Sequence, residues 1–437
     1  MIRLTKTNLI LVFLIGATGC ESGSESLTPS VWTQEVLANL DRLSPLGVLP
    51  SDPTNAVADH PGAAALGQFL FFDTRLSQNG EVACATCHTP EHGFADELPL
   101  SKAVGTTKRH TPTVLNTAYN RWFFWDGRAD SQWAQALKPL EDPGEHGFSR
   151  LEFVHLISAD PQLRQAYEGI FGPLPDFSDT TRFPSKGGPI GKDLNYPPLA
   201  AWVGMAPADQ TLVNEVFSNL GKTIAAYERK LVTGPSAFDV FVEGLETNDP
   251  DKVATLSESA QRGALLFVGK ALCTRCHSGP ELTDREFHNV GLGPRDWMAD
   301  PKDGGRAGGA GQVIADVFNG KGNYSDAPAD PTNDKLTYLT LAGAEQIGQF
   351  KTPSLRNVAL TPPYMHSGHF ETLAEVVRFY SELDENPLVG HREEVLEPLH
   401  LTDDEIADLV AFLESLTGEL PDSALLTKPD SPLPPNP

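Results

Sequence analysis

The chain is short of cysteine, of basic residues and of long apolar runs, and each shortage removes a class of function. Lys and Arg number 33 against 58 Asp and Glu, a net charge of −25. Such a balance excludes nucleic acid and anionic membrane surfaces as natural partners. The N-terminal apolar run, Leu9 to Ile15, is too short to span a bilayer stably. No strand-rich stretch stands out, so the fold is expected to be mainly α-helical. Cysteine is scarcest, with five residues in 437, yet four of the five fall into two copies of one pattern.

Those copies are Cys84-Ala85-Thr86-Cys87-His88 and Cys273-Thr274-Arg275-Cys276-His277. Cys-x-x-Cys-His is the attachment signal for c-type haem. The two thiols add across the vinyl groups, and the histidine reaches the iron from the proximal side. A four-cysteine zinc site would use the same residues, but zinc ribbons keep their pairs a few tens of residues apart. Here positions 84 and 273 are 189 residues apart. A thioredoxin-like redox pair rarely carries histidine directly after its second cysteine. Two covalently bound haems c are therefore expected.

The length favours two domains, and 38 Gly with 36 Pro suggest many loops wrapped around bulky groups. Residues 1–20 read as an export signal: Arg3 and Lys6, the apolar run, then Gly16-Ala17-Thr18-Gly19-Cys20. The end of that segment resembles a bacterial lipobox. Either a lipid on Cys20 or ordinary cleavage near residue 19 accounts for it, and both place the chain in the periplasm, where haem c is attached. Residues 21–55 read as tether and lead-in, and 421–437, with six prolines, as a disordered tail. A weak internal repeat, Ala64 to Phe71 and Ala260 to Phe267, precedes each haem motif and looks like the opening helix of a cytochrome c domain. This predicts tandem domains at 56–250 and 251–420. The apolar spacing predicts a helix over 212–231, and Thr402 to Glu405 a capping box opening a last helix. Residues 173–210 and 294–345 read as loop insertions.

Two further blocks, Pro112 to Asn116 with Phe123 to Ala129, and Thr352 to Asn357 with Pro363 to Gly368, resemble the bacterial di-haem cytochrome c peroxidases, a family that includes the MauG-type enzymes. The resemblance covers roughly 60–415. It implies that peroxide reacts at the N-terminal haem, on His88, while the C-terminal haem, on His277, takes electrons from a donor. It also implies that Trp125 lies between the haems as a relay, with Glu145 of Pro143-Gly144-Glu145 as acid/base and Gln135 in the distal pocket. His146 is an alternative base.

Three departures shape the expectation. The loop Leu100 to Lys108 lacks the histidine that blocks the iron in peroxidases needing reductive activation. His92 and His110 only flank it, so peroxide access without prior reduction is expected. The family's distal methionine position falls on Tyr380, as in MauG-type enzymes, and Met365 competes only at the wrong spacing. A phenolate favours ferric and higher iron, whereas a thioether favours ferrous iron. The calcium carbonyls match Thr361 and Pro363, but the asparagine ligand is replaced by His110, a poor donor for a hard cation. The resemblance thus implies a periplasmic peroxidase reducing hydrogen peroxide with electrons from a small cytochrome c or cupredoxin. The alternative is a MauG-type oxidase acting on residues of a partner protein. A plain electron carrier is a third reading, against which the open loop and Glu145 argue.

Overall fold

The computed structural model describes residues 31–434 except 192 and 342; the export signal, Cys20 and the 21–30 tether lie outside them. Among the described residues the regular structure is mostly helical, and the strands form one short antiparallel ribbon, Phe287–His288 with Phe350–Lys351.

Two apolar cores account for the architecture, and each uses the same construction. In the first, helix Pro61–Phe71 packs along helix Pro207–Glu228; in the second, helix Glu258–Val268 packs along helix Asp403–Glu414. Gly67 and Gly263, which occupy the same place in the sequence repeat, let the backbones touch. A Cβ on Gly67 would strike the Thr223 carbonyl, and one on Gly263 the Asp408 carbonyl. The expected cap is present, with the Thr402 hydroxyl accepting from Glu405 N–H (3.2 Å) and the Glu405 carboxylate accepting from Thr402 N–H (2.9 Å).

Several boundaries move. Helix Ala237–Thr247 was expected inside the first domain, but Phe238, Phe241 and Val242 belong to the second core. This helix therefore packs on the second core although it lies within the first expected domain. The 212–231 helix begins earlier, at Pro207, because proline suits a first turn whose N–H groups lack partners anyway. The presumed insertions are not plain loops. They carry helices Pro197–Gly204 and Arg306–Ala315, and Phe318 joins the first core.

The termini cross. Helix Gln34–Asp41 packs on the second core through Leu40 and Leu43, and Trp32 meets Phe241 edge-on at 5.4 Å. The C-terminal stretch, expected to be disordered, lies against the first core instead. Gln68 Nε2 donates to the carbonyls of Ala424 (2.7 Å) and Thr427 (2.9 Å), and the Tyr227 hydroxyl to that of Leu425 (2.6 Å). Leu425, Leu426 and Leu433 pack on the same surface. Ending the chain at Leu420 should destabilise it by about 2–5 kcal/mol from lost burial and hydrogen bonds. Urea unfolding of the two forms measures the difference, and equal midpoints would mean that the strap contributes nothing.

Candidate functional site

Each Cys-x-x-Cys-His segment makes a single tight turn that sets its histidine. The His88 N–H donates to the Cys84 carbonyl (2.9 Å) and the His277 N–H to that of Cys273 (2.8 Å). The side chains are oriented alike. His88 Nδ1–H donates to the Phe94 carbonyl (3.0 Å), and His277 Nδ1–H to that of Leu282 (2.9 Å). Phe94 and Leu282 both stand at positive φ, which turns those carbonyls inward. Each imidazole thus keeps Nε2 as a free acceptor, the arrangement of a metal-ligating histidine. Burial lowers the pKa of both, favouring the neutral, ligating form. Cys84, Cys87, Cys273 and Cys276 form no disulfide among the described residues.

Around the first motif lies a partly open cavity lined by Cys84, Cys87, His88, Gln135, Glu145 and Glu228, among others. Trp125, Gln135 and Glu145 are positioned by separate segments. Gln135 sits on helix Gln132–Glu141, which starts at the Ser131 cap. Glu145 sits on the turn that follows, where its N–H donates to the Asp142 carbonyl (3.0 Å). That turn is fastened to the 100–108 loop: Val104 N–H donates to the Glu145 carbonyl (3.0 Å) and Gly105 N–H to that of Gly144 (2.9 Å). The histidine-free loop is therefore fixed as a wall, with Ala103 and Thr107 facing the cavity. Burial raises Glu145 to about 7, partly opposed by the Arg128 guanidinium. The carboxyl is poised to exchange a proton near neutral pH. His146 is held by Nδ1–H to the Leu76 carbonyl (2.8 Å), and burial keeps it neutral.

Sequence reasoning missed Glu228. It is 4 % exposed, is raised by burial to about 8, and has Gln132 Nε2 as a distant partner at 3.4 Å. Its signal was present: position 228 continues the 220-224-227 stripe, so a carboxylate there points inward.

Trp125 joins the two halves. Its indole N–H donates to the His110 carbonyl (2.9 Å), its carbonyl accepts from Lys351 N–H (2.7 Å), and its ring lies 6.4 Å from His366. His366 is itself stacked on Phe350 at 3.6 Å. Arg109 ties this junction by pairing with Asp126 (2.7 Å) and Asp303 (2.7 Å).

At the second motif, Tyr380 lies on helix Leu373–Glu382, whose Thr372–Glu375 capping box fixes its start. Burial, with Cys276 and Cys273 nearby, raises the phenol pKa. Tyr380 is thus within electrostatic range of the attachment thiols. Met365 instead occupies a positive-φ turn, its carbonyl accepting from Gly368 N–H (3.2 Å). Thr361 and Pro363 flank a cis Pro362–Pro363 bond. At the neighbouring asparagine position His110 presents a donor: its Nδ1–H goes to the Leu98 carbonyl (2.9 Å). That group does not suit calcium, which needs oxygen ligands.

Comparison with known proteins agrees with this geometry. A family model described as di-haem cytochrome c peroxidase matches residues 61–247. The chain is 33% identical to the cytochrome-c peroxidase IdrP1 of Denitromonas iodatirespirans, covering 86% of this chain and 87% of that one. It is 31% identical to the methylamine utilization protein MauG of Methylorubrum extorquens, covering 94% and 92%. Among solved structures, a MauG-like protein associated with microbial copper homeostasis matches at 27% identity and a TM-score of 0.56, over 88% of this chain and 97% of that one. With two turns that each free a histidine Nε2 beside paired thiols, and with relatives matched along nearly its whole length, the chain belongs to the di-haem cytochrome c peroxidase family, which includes the MauG proteins.

Proposed function

We propose that this chain reduces hydrogen peroxide to water, consuming two electrons and two protons per peroxide, with electrons drawn singly from a small cytochrome c or cupredoxin. The observation that supports this most is Glu145, a half-buried carboxyl displaced to about 7 in the same cavity as Cys84, Cys87 and His88. The donor sets fit two covalently attached haems c, held by Cys84, Cys87 and His88, and by Cys273, Cys276, His277 and Tyr380. When bound, haem would supply the redox-active iron needed to reduce peroxide and to carry electrons between the sites. The chain does the rest. Glu145 takes the proton from the inner peroxide oxygen and returns it to the outer one. Gln135 orients the peroxide by hydrogen bonding. The wall formed by residues 101–107 presents Ala103 and Thr107 to the cavity and carries no histidine that could compete with peroxide. Trp125 shortens the electron path between the sites.

The export signal puts the protein in the periplasm, either tethered by a lipid on Cys20 or released by cleavage near residue 19. Calcium has no place in this reading, because His110 offers a donor where the cation needs an oxygen. Treatment with EGTA should leave turnover and thermal midpoint unchanged; a fall in either, restored by calcium, would put the cation back.

Tyr380 favours a second reading, a MauG-type oxidase that holds two oxidising equivalents and spends them on residues of a partner protein. One assay separates the readings. Rapid peroxide-dependent oxidation of reduced cytochrome c, without prior reduction of the enzyme, is expected of the peroxidase. Sluggish turnover with a long-lived oxidised spectrum is expected of the oxidase. No reaction with peroxide would overturn both.

A further inference from the structure

Trp122 and Trp125 lie three residues apart on one turn, yet their electrostatic surroundings are opposite. The Arg306 guanidinium lies over the Trp122 ring at 4.4 Å and over Phe287 at 4.0 Å. The Lys335 ammonium lies over the same indole at 5.3 Å. Both cations are held by carbonyls. Arg306 Nη1 donates to Asp126 (3.2 Å) and Gly127 (2.8 Å), and Lys335 Nζ to Arg121 (2.9 Å) and Asp130 (2.6 Å). Arg306 is 3 % exposed and makes no ion pair among the described residues; the Asp126 and Glu286 carboxylates act on it only at longer range. Burial lowers it only to about 10, so it stays charged at neutral pH. An unpaired buried cation is costly to keep, and its position against one indole needs a reason.

No cation lies over Trp125 among the described residues. The nearby Arg109 charge is matched by Asp126 and Asp303, and the indole N–H faces the His110 carbonyl.

We propose that Arg306 and Lys335 shield Trp122 from one-electron oxidation, so that the electron relay is confined to Trp125. The inference rests on the reading of Trp125 as relay. An electron leaves the Trp125 indole for the peroxide-oxidised site at His88 and is replaced from the site at His277. No bond forms or breaks, and the N–H proton stays, because its acceptor is a carbonyl rather than a base. The same loss from Trp122 would create a cation against two others, which Coulomb repulsion in a low-dielectric interior opposes. Arg306 is thus a positioning residue, acting on which indole is oxidised.

The test is residue-resolved mass spectrometry of the haem-loaded protein after peroxide treatment in air without donor. A Trp122 that loses an electron and its Nε1 proton is trapped by dioxygen and gains oxygen mass. The wild type should show Trp122 unmodified. Arg306→Gln with Lys335→Gln should raise oxidised Trp122 by about tenfold or more, as expected for removing two charges at this range. Arg306→Lys keeps the charge but alters the carbonyl contacts, and it should leave Trp122 protected. Equal oxidation in Arg306→Lys and Arg306→Gln would make the role structural and overturn the proposal. No rise in the double variant, or oxidation of Trp122 in the wild type, would also overturn it. Lys335→Gln alone, on the more exposed cation, gives a smaller rise and guards against misfolding of the double variant. The relay reading fails separately, if Trp125→Phe leaves cytochrome c oxidation at full speed.

Discussion

Glu145→Gln should lower peroxide turnover by about 10²–10⁴-fold, the usual contribution of a positioned acid/base. Glutamine keeps the size and the hydrogen-bonding reach of the side chain but cannot carry a proton between the two peroxide oxygens. The wild-type rate with peroxide should rise with pH through about 7, where the carboxyl ionises, and the variant should lose that step. Stability runs the opposite way. The folded protein holds the Glu145 proton up to about 7, whereas an unfolded glutamate releases it near 4.3. The stabilisation is therefore complete below the unfolded value and is lost as pH rises through the folded one. Glu228→Gln is the control, since that residue lies on the opposite helix and titrates about one unit higher. If Glu228→Gln abolished turnover while Glu145→Gln did not, the acid/base role would belong to Glu228.

Tyr380→Met should raise the potential of the second site by on the order of 0.2 V, within the range axial ligands span. At 59 mV per decade this is more than a thousandfold in the one-electron equilibrium. The direction follows from the donor: a phenolate oxygen stabilises ferric and higher iron, and a thioether stabilises ferrous iron. Spectroelectrochemical titration reads the shift, and turnover with cytochrome c should move toward peroxidase behaviour. An unchanged potential and spectrum would remove Tyr380 from the ligand set and return the question to Met365.

What the sequence made legible was local. The two haem motifs, the repeat with Gly67 and Gly263, and the Thr402 capping box each sit within a dozen residues, so spacing alone carries their meaning. Glu145 and Tyr380 come from the family blocks, not from local spacing: one is a carboxyl lining the His88 cavity, the other a phenol whose pKa is raised by burial and by the Cys276 and Cys273 charges. What was hidden depended on distant parts of the chain. Glu228 faces the cavity only because its helix is pressed against Pro61–Phe71. Helix Ala237–Thr247 reads as the end of one domain but buries Phe238 and Phe241 in the other. The tail was misjudged on its prolines. Proline stops helices without preventing an extended strap from packing, and Leu425, Leu426 and Leu433 between the prolines were the overlooked sign.

The crossed termini make each core depend on a segment from the far side of the chain. The segment that covers the flank of Phe71 and Tyr227 comes from residues 424–433, far in sequence from the helix it covers. Phe71 is also 6.3 Å from the His88 ring. That flank of the first site therefore closes only when two segments far apart in the sequence meet, so its cover can be lifted without unpacking the helices beneath it. Among the described residues the second core takes no apolar contact from 424–433, and loosening them leaves it as it stands.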